Sequence, residues 1–157
     1  MRLSEERANA NKILRVYEAG YPPVDIVRIA VSMGIEIAPE SSQAVAGSLD
    51  ADPVTMRAVI RVRRDQAEVR QRFTVAHEIG HLMLGHFKAG KTCYRAMEAT
   101  PEEAAANRYA ADLLMPLWML EPLLLNHGAD AGFLGKTFQV SEEAMRFRLD
   151  AFLDPRR

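Results

Sequence analysis

Cysteine is almost absent from this chain: Cys93 is the only one in 157 residues. No internal disulfide can form, so the expected setting is a reducing, intracellular one. An excess of one charge is also missing. The 20 Lys and Arg against 21 Asp and Glu leave a formal net charge of -1, too little to draw the whole molecule toward nucleic acid or an anionic membrane. Long apolar runs are lacking as well. The opening Met1-Arg2-Leu3-Ser4-Glu5-Glu6-Arg7 is charged with no apolar stretch behind it, so we expect neither a signal peptide nor a transmembrane helix, and a cytoplasmic protein. There is no internal repeat and no low-complexity segment.

What remains is 48% hydrophobic, enough for one core and too short for two domains of ordinary size. The expectation is a single domain over 1–157. Residues 1–34 read as two helices, Ser4–Ala19 and Val24–Met33, the second opened by Pro23 and closed by Gly34. Residues 35–64 read as a small sheet: Ile35–Ala38, a weaker candidate Ala44–Leu49 before a turn at Asp50-Ala51-Asp52-Pro53, and Met56–Val62. The last alternates apolar and polar side chains, as a strand with one wet face does.

Helical spacing returns from Gln66 to Leu84, the stretch 88–99 reads as a loop, and Thr100-Pro101-Glu102-Glu103 opens a helix running to about Met115. Together they make a segment 65–116. From 117 to 157, short helices broken by Pro116 and Pro122, with Trp118 taken as core, precede two more helices, Asp130–Phe138 and Ser141–Leu153, with a helix-turn-helix outline. The fold class is α+β.

The chemistry lies in His77-Glu78-Ile79-Gly80-His81. On a helix, histidines four apart share a face about 5–6 Å apart at Cβ, so one metal ion can meet both imidazoles. Zinc accepts neutral imidazole and keeps a position open in catalytic sites. Glu78 can then take the proton of a water that attacks a carbonyl. In a chain with 4 histidines, this pattern arises by accident on the order of 0.01 times.

A third protein ligand is required. Leu84 and Phe87 stand where a metzincin needs Gly and His, so the third ligand comes from elsewhere. A carboxylate on the helix beginning at Thr100 is the natural source: Glu103 first, then Glu102, then Asp112. Thr100 with Glu103 is equally a capping box, in which Glu103 turns back to its own helix. Asn107, four residues beyond Glu103, can hydrogen-bond a zinc-bound histidine or the carboxylate.

Two stretches carry a family resemblance: Arg72-Phe73-Thr74-Val75-Ala76-His77-Glu78-Ile79-Gly80-His81-Leu82 and Ala106-Asn107-Arg108-Tyr109-Ala110-Ala111-Asp112-Leu113-Leu114-Met115-Pro116. The chain resembles the ImmA/IrrE family of zinc metallopeptidases over about residues 4–153. The resemblance implies a minimal zincin-like domain with a three-stranded sheet, one zinc ion, and regulated cleavage of a helix-turn-helix repressor in a stress or mobile-element response. The family segment before Ala-Asn commonly reads Glu-x-Glu or Glu-x-Gln. Here it reads Glu103-Ala104-Ala105, so the site is intact if the family's ligand is the first of the pair. A non-cleaving module that captures a repressor or DNA is the alternative, and a zinc-dependent hydrolase of another substrate a third reading; Glu78 favours the enzyme.

Fainter signals have ordinary readings beside their functional ones. His86, Tyr94 and Tyr109 could hold an oxyanion, but read by default as a solvated helix end and half-buried tyrosines. The arginines at 57, 61, 63, 64, 70 and 72 suit a wet sheet face, or a groove for an acidic segment. Arg146 and Arg148 could face DNA, but nearby acids offset them and a packing role is expected. A peptide substrate would lie along an edge strand, which the sequence suggests is Met56–Val62.

Overall fold

A computed structural model describes residues 3–41, 44–52, 54, 55, 57–86, 93, 94 and 100–153. Met56, Phe87, Asp154, most of the 88–99 loop and the side chains of Cys93 and Tyr94 lie outside the described residues. The elements run α1 (Leu3–Val16), α2 (Ile26–Ser32), β1 (Ile35–Pro39), β2 (Gly47–Asp52), β3 (Arg57–Val62), α3 (Glu68–Leu84), β4 (Cys93–Tyr94), α4 (Pro101–Leu114), α5 (Leu117–His127), α6 (Ala131–Phe138) and α7 (Glu142–Leu153). The class is α+β, as expected. No described helix is long and apolar enough to cross a membrane.

The three expected strands form a mixed sheet in the order β1-β3-β2, and the two-residue β4 adds to the far side of β2. This overturns the placement of the 56–62 strand at an edge. β3 is central, parallel to β1 and antiparallel to β2, so its backbone groups are engaged on both sides. Alternation reports which face is buried, with Ile60 at 0% and Val62 at 4% exposure, and is silent about how many neighbours a strand has. Among the described residues the edges are β1 and β4, and β4 pairs with Ser48 and Leu49.

Four local expectations also shift. β2 continues through Asp52, whose carboxylate then caps the turn by accepting from Val54 N at 2.8 Å and Thr55 Oγ1 at 2.7 Å. Asp25, rather than Pro23, opens α2, accepting from Arg28 N at 3.0 Å. Residues 117–127 make one helix with Pro122 inside it, since surrounding packing can override one missing amide bond. Trp118 is 39% exposed and donates its indole N–H to Asn11 Oδ1 at 3.1 Å, so it is a surface clasp between helices.

The core lies between the sheet and the helices. Leu49 and Ile60 from the sheet meet Ile79 of α3, and Tyr109, Leu113 and Leu114 of α4 are also fully buried. Gly47 brings β2 against α3: a Cβ there would stand 2.3 Å from Thr74 Cγ2 and 2.7 Å from Arg61 O. Only glycine permits that approach. Covered by the sheet on one side and α4 on another, α3 is buried at every residue from Thr74 to His81, and its polar side chains there must find partners or a ligand.

Candidate metal centre

α3 ends at Gly85, whose left-handed φ of 72° closes the helix with His86 N bonded to His81 O at 2.9 Å. These are the bonds of a Schellman turn. The turn folds His86 back on the helix, and its Nδ1 comes 3.2 Å from His81 Nδ1. His86 therefore touches a site histidine, a contact that its sequence position after the helix did not signal.

α4 starts on Thr100, whose hydroxyl accepts from Glu103 N at 3.2 Å. This supplies one half of the capping box. The Glu103 carboxylate reaches across to α3, with Oε2 3.2 Å from His77 Nε2 and Oε1 3.2 Å from His81 Nε2. A close approach of the helices allows this reach: a Cβ on Gly80 would lie 3.1 Å from Ala106 O and 3.2 Å from Tyr109 Cβ.

The two Nε2 atoms are 3.0 Å apart, and the Glu103 carboxylate straddles them, one oxygen 3.2 Å from each. Ligand atoms about 2.0–2.1 Å from a tetrahedral zinc stand about 3.3 Å from one another. The donor set and its spacing could hold one metal ion. Histidine exposure here is 1% for His77 and 5% for His81. Burial, reinforced by the neighbouring His77, pushes the His81 imidazole down to about 4, which keeps it in the neutral form that binds metal. Burial likewise lowers His86.

Asn107 places its Oδ1 2.9 Å from His77 Nδ1. Glu78 sits on the same turn as the histidines and is 2% exposed. Glu102, by contrast, is exposed, and Asp112 is paired with Arg148 at 2.6 Å and Arg7 at 3.4 Å; neither belongs to the cluster. Tyr109 is fully buried and hydrogen-bonds Asn9, which gives it a packing role. Of the arginines before the site, Arg72 is buried and donates to Val24 O at 2.7 Å and Gln139 O at 3.2 Å. It ties loops to α3 and is no part of a charged face.

Two histidines one turn apart on one helix, with a glutamate from the next helix over a small mixed sheet, define a candidate mononuclear metal centre. The chain belongs to the Peptidase_M78 family, whose IrrE N-terminal-like domain matches residues 30–150. A Mycobacterium tuberculosis transcriptional regulator is similar in fold, with a TM-score of 0.67 at 17% identity. That match covers 98% of this chain and 48% of the regulator, so the chain spans about half its length. No curated protein matches the chain.

Proposed function

We propose that the chain is a zinc-dependent endopeptidase that cleaves a helix-turn-helix transcriptional repressor in a stress or mobile-element response. The observation that carries the peptidase part is the convergence of His77 Nε2, His81 Nε2 and Glu103 on one point, with the buried Glu78 on the same helix turn. The repressor part rests on the family resemblance alone. Zinc suits two imidazoles and a carboxylate, and when bound it supplies the Lewis acidity that polarises a peptide carbonyl and makes water a better nucleophile.

The chain's own residues do the rest. His77, His81 and Glu103 hold the ion, and Asn107 fixes the His77 ring. Glu78 takes the proton from the attacking water and passes it to the departing amine, so the C–N bond breaks with a neutral leaving group. The peptide pairs with an edge of the sheet, as extended substrates do.

The test is co-expression with helix-turn-helix repressors of the same genome, with fragments read by mass spectrometry and metal measured on the purified protein. Wild type should cut and carry about one zinc per chain. Glu78→Gln should carry zinc and leave the repressor whole, while Glu103→Ala should lose the metal. A repressor that stays intact but bound to the wild-type protein would overturn the peptidase reading in favour of a capturing module.

A further inference from the structure

Behind the metal group, α1, α3, α4 and α7 surround a cavity of about 700 Å³. Its apolar wall comes from Val69 and Phe73 of α3 and Ala144 and Phe147 of α7. We propose that this cavity is a recognition groove for an apolar, acid-bearing segment of the protein substrate, an inference that rests on the peptidase reading above.

The volume lies in the range of real ligand sites rather than packing defects. The wall is open to solvent: Phe147 is 69% exposed and Ala151 is exposed. An enclosed pocket suits a small molecule, whereas an open one lets a chain enter, seat a side chain and run on. Phe147 costs free energy while it faces water and recovers it when covered, as interface anchors do.

Charge selects the segment. Four arginines, Arg7, Arg70, Arg108 and Arg148, line the groove against Glu6, Asp112 and Glu143. Asp112 answers Arg148 and Arg7, Glu6 lies 3.7 Å from Arg108, and the exposed Glu143 on α7 leaves the lining with one more arginine than acids. Arg70 is exposed and has no ion-pair partner among the described residues. A carboxylate brought in beside the apolar anchor meets this guanidinium and the exposed side of Arg108.

The groove also touches the chemistry. Asn107 lines it while its Oδ1 contacts His77 Nδ1, and the Phe73 ring centroid is 6.4 Å from that of His77. A segment seated here lies one side chain away from the first metal ligand. It faces that ligand's Nδ1 side, which leaves the Nε2 side, where the ion and scissile bond would meet, clear.

The experiment is selection of a displayed random-peptide library on zinc-loaded Glu78→Gln protein, which would bind without cutting. Selected peptides should combine apolar residues with Asp or Glu. They should bind Phe147→Asp and Arg70→Glu, both changed at exposed positions, about tenfold more weakly. A fresh selection on Arg70→Glu should switch the preference from acidic to basic residues, which a merely structural role for Arg70 would not produce. No enrichment, enrichment without acids, or equal affinity for the groove variants would overturn the proposal. The peptidase reading fails separately: peptides held in the groove while wild type leaves both them and every co-expressed repressor uncut.

Discussion

Asn107 Oδ1 stands 2.9 Å from His77 Nδ1. Since Asn Oδ1 only accepts, the proton sits on Nδ1 and the Nε2 lone pair points toward Glu103 and His81. Asn107→Ala frees the ring to rotate and choose its tautomer, and should weaken zinc binding about 10–100-fold. Competition with a chromophoric chelator measures this directly; unchanged affinity would mean that the contact does not orient the ligand.

The α3–α4 crossing sets the reach of Glu103. At Gly80 an added Cβ would meet Ala106 O at 3.1 Å and Ala106 Cα at 3.2 Å, both backbone atoms that move only with their helix. Overpacking of this kind costs about 1–3 kcal/mol, more than the ~1 kcal/mol that alanine adds in helix propensity. Gly80→Ala should therefore lower the melting temperature and loosen metal binding together. A stabilised variant with normal metal affinity would show that the helices part without displacing Glu103.

The pH response of the metal-free protein follows from His81. Its folded value of about 4 lies below the ordinary 6.5, so between these pH values the unfolded chain binds more protons. Stability then rises with pH across that window and is lost as pH falls from about 6.5 toward 4, by an amount of order 3 kcal/mol. Denaturant titrations of chelator-treated protein, compared with His81→Gln, isolate the contribution. A wild-type slope no steeper than the variant's would remove it.

Asp112 joins a buried arginine and a half-exposed one, Arg148 and Arg7, with the Arg148 and Asp112 side chains 8% and 7% exposed. Arg148 Nε also donates to Met115 O at 2.9 Å. Asp112→Ala strands the Arg148 charge and should cost about 3–5 kcal/mol. Because Asp112 is outside the metal group, the folded fraction of this variant should keep its zinc. Loss of metal from folded protein would put Asp112 back among the ligands.

How much of this was legible in the sequence depends on the range of the interaction. His77 and His81 share a face because of local periodicity, and the helices and three main strands follow from caps, turns and alternation of the same range. The central place of β3 is set by pairing with β1 and β2, partners that its own residues do not name. Glu103 illustrates the boundary: Thr100 with Glu103 fits a cap and a ligand equally well in sequence, and only the position of α3 shows where the carboxylate lies. His86 is brought to His81 by the turn at Gly85, and the groove needs four helices from both ends of the chain.

The metal group also joins α3 to α4 across the stretch that carries β4. An ion held there would act as a staple in a chain whose lone cysteine allows no covalent one, clamping two helices that already approach closely at Gly80. Such a staple is not opened by thiol–disulfide exchange and responds to metal supply. The rigidity of the protein, and not only its chemistry, would then rise and fall with the zinc available to it.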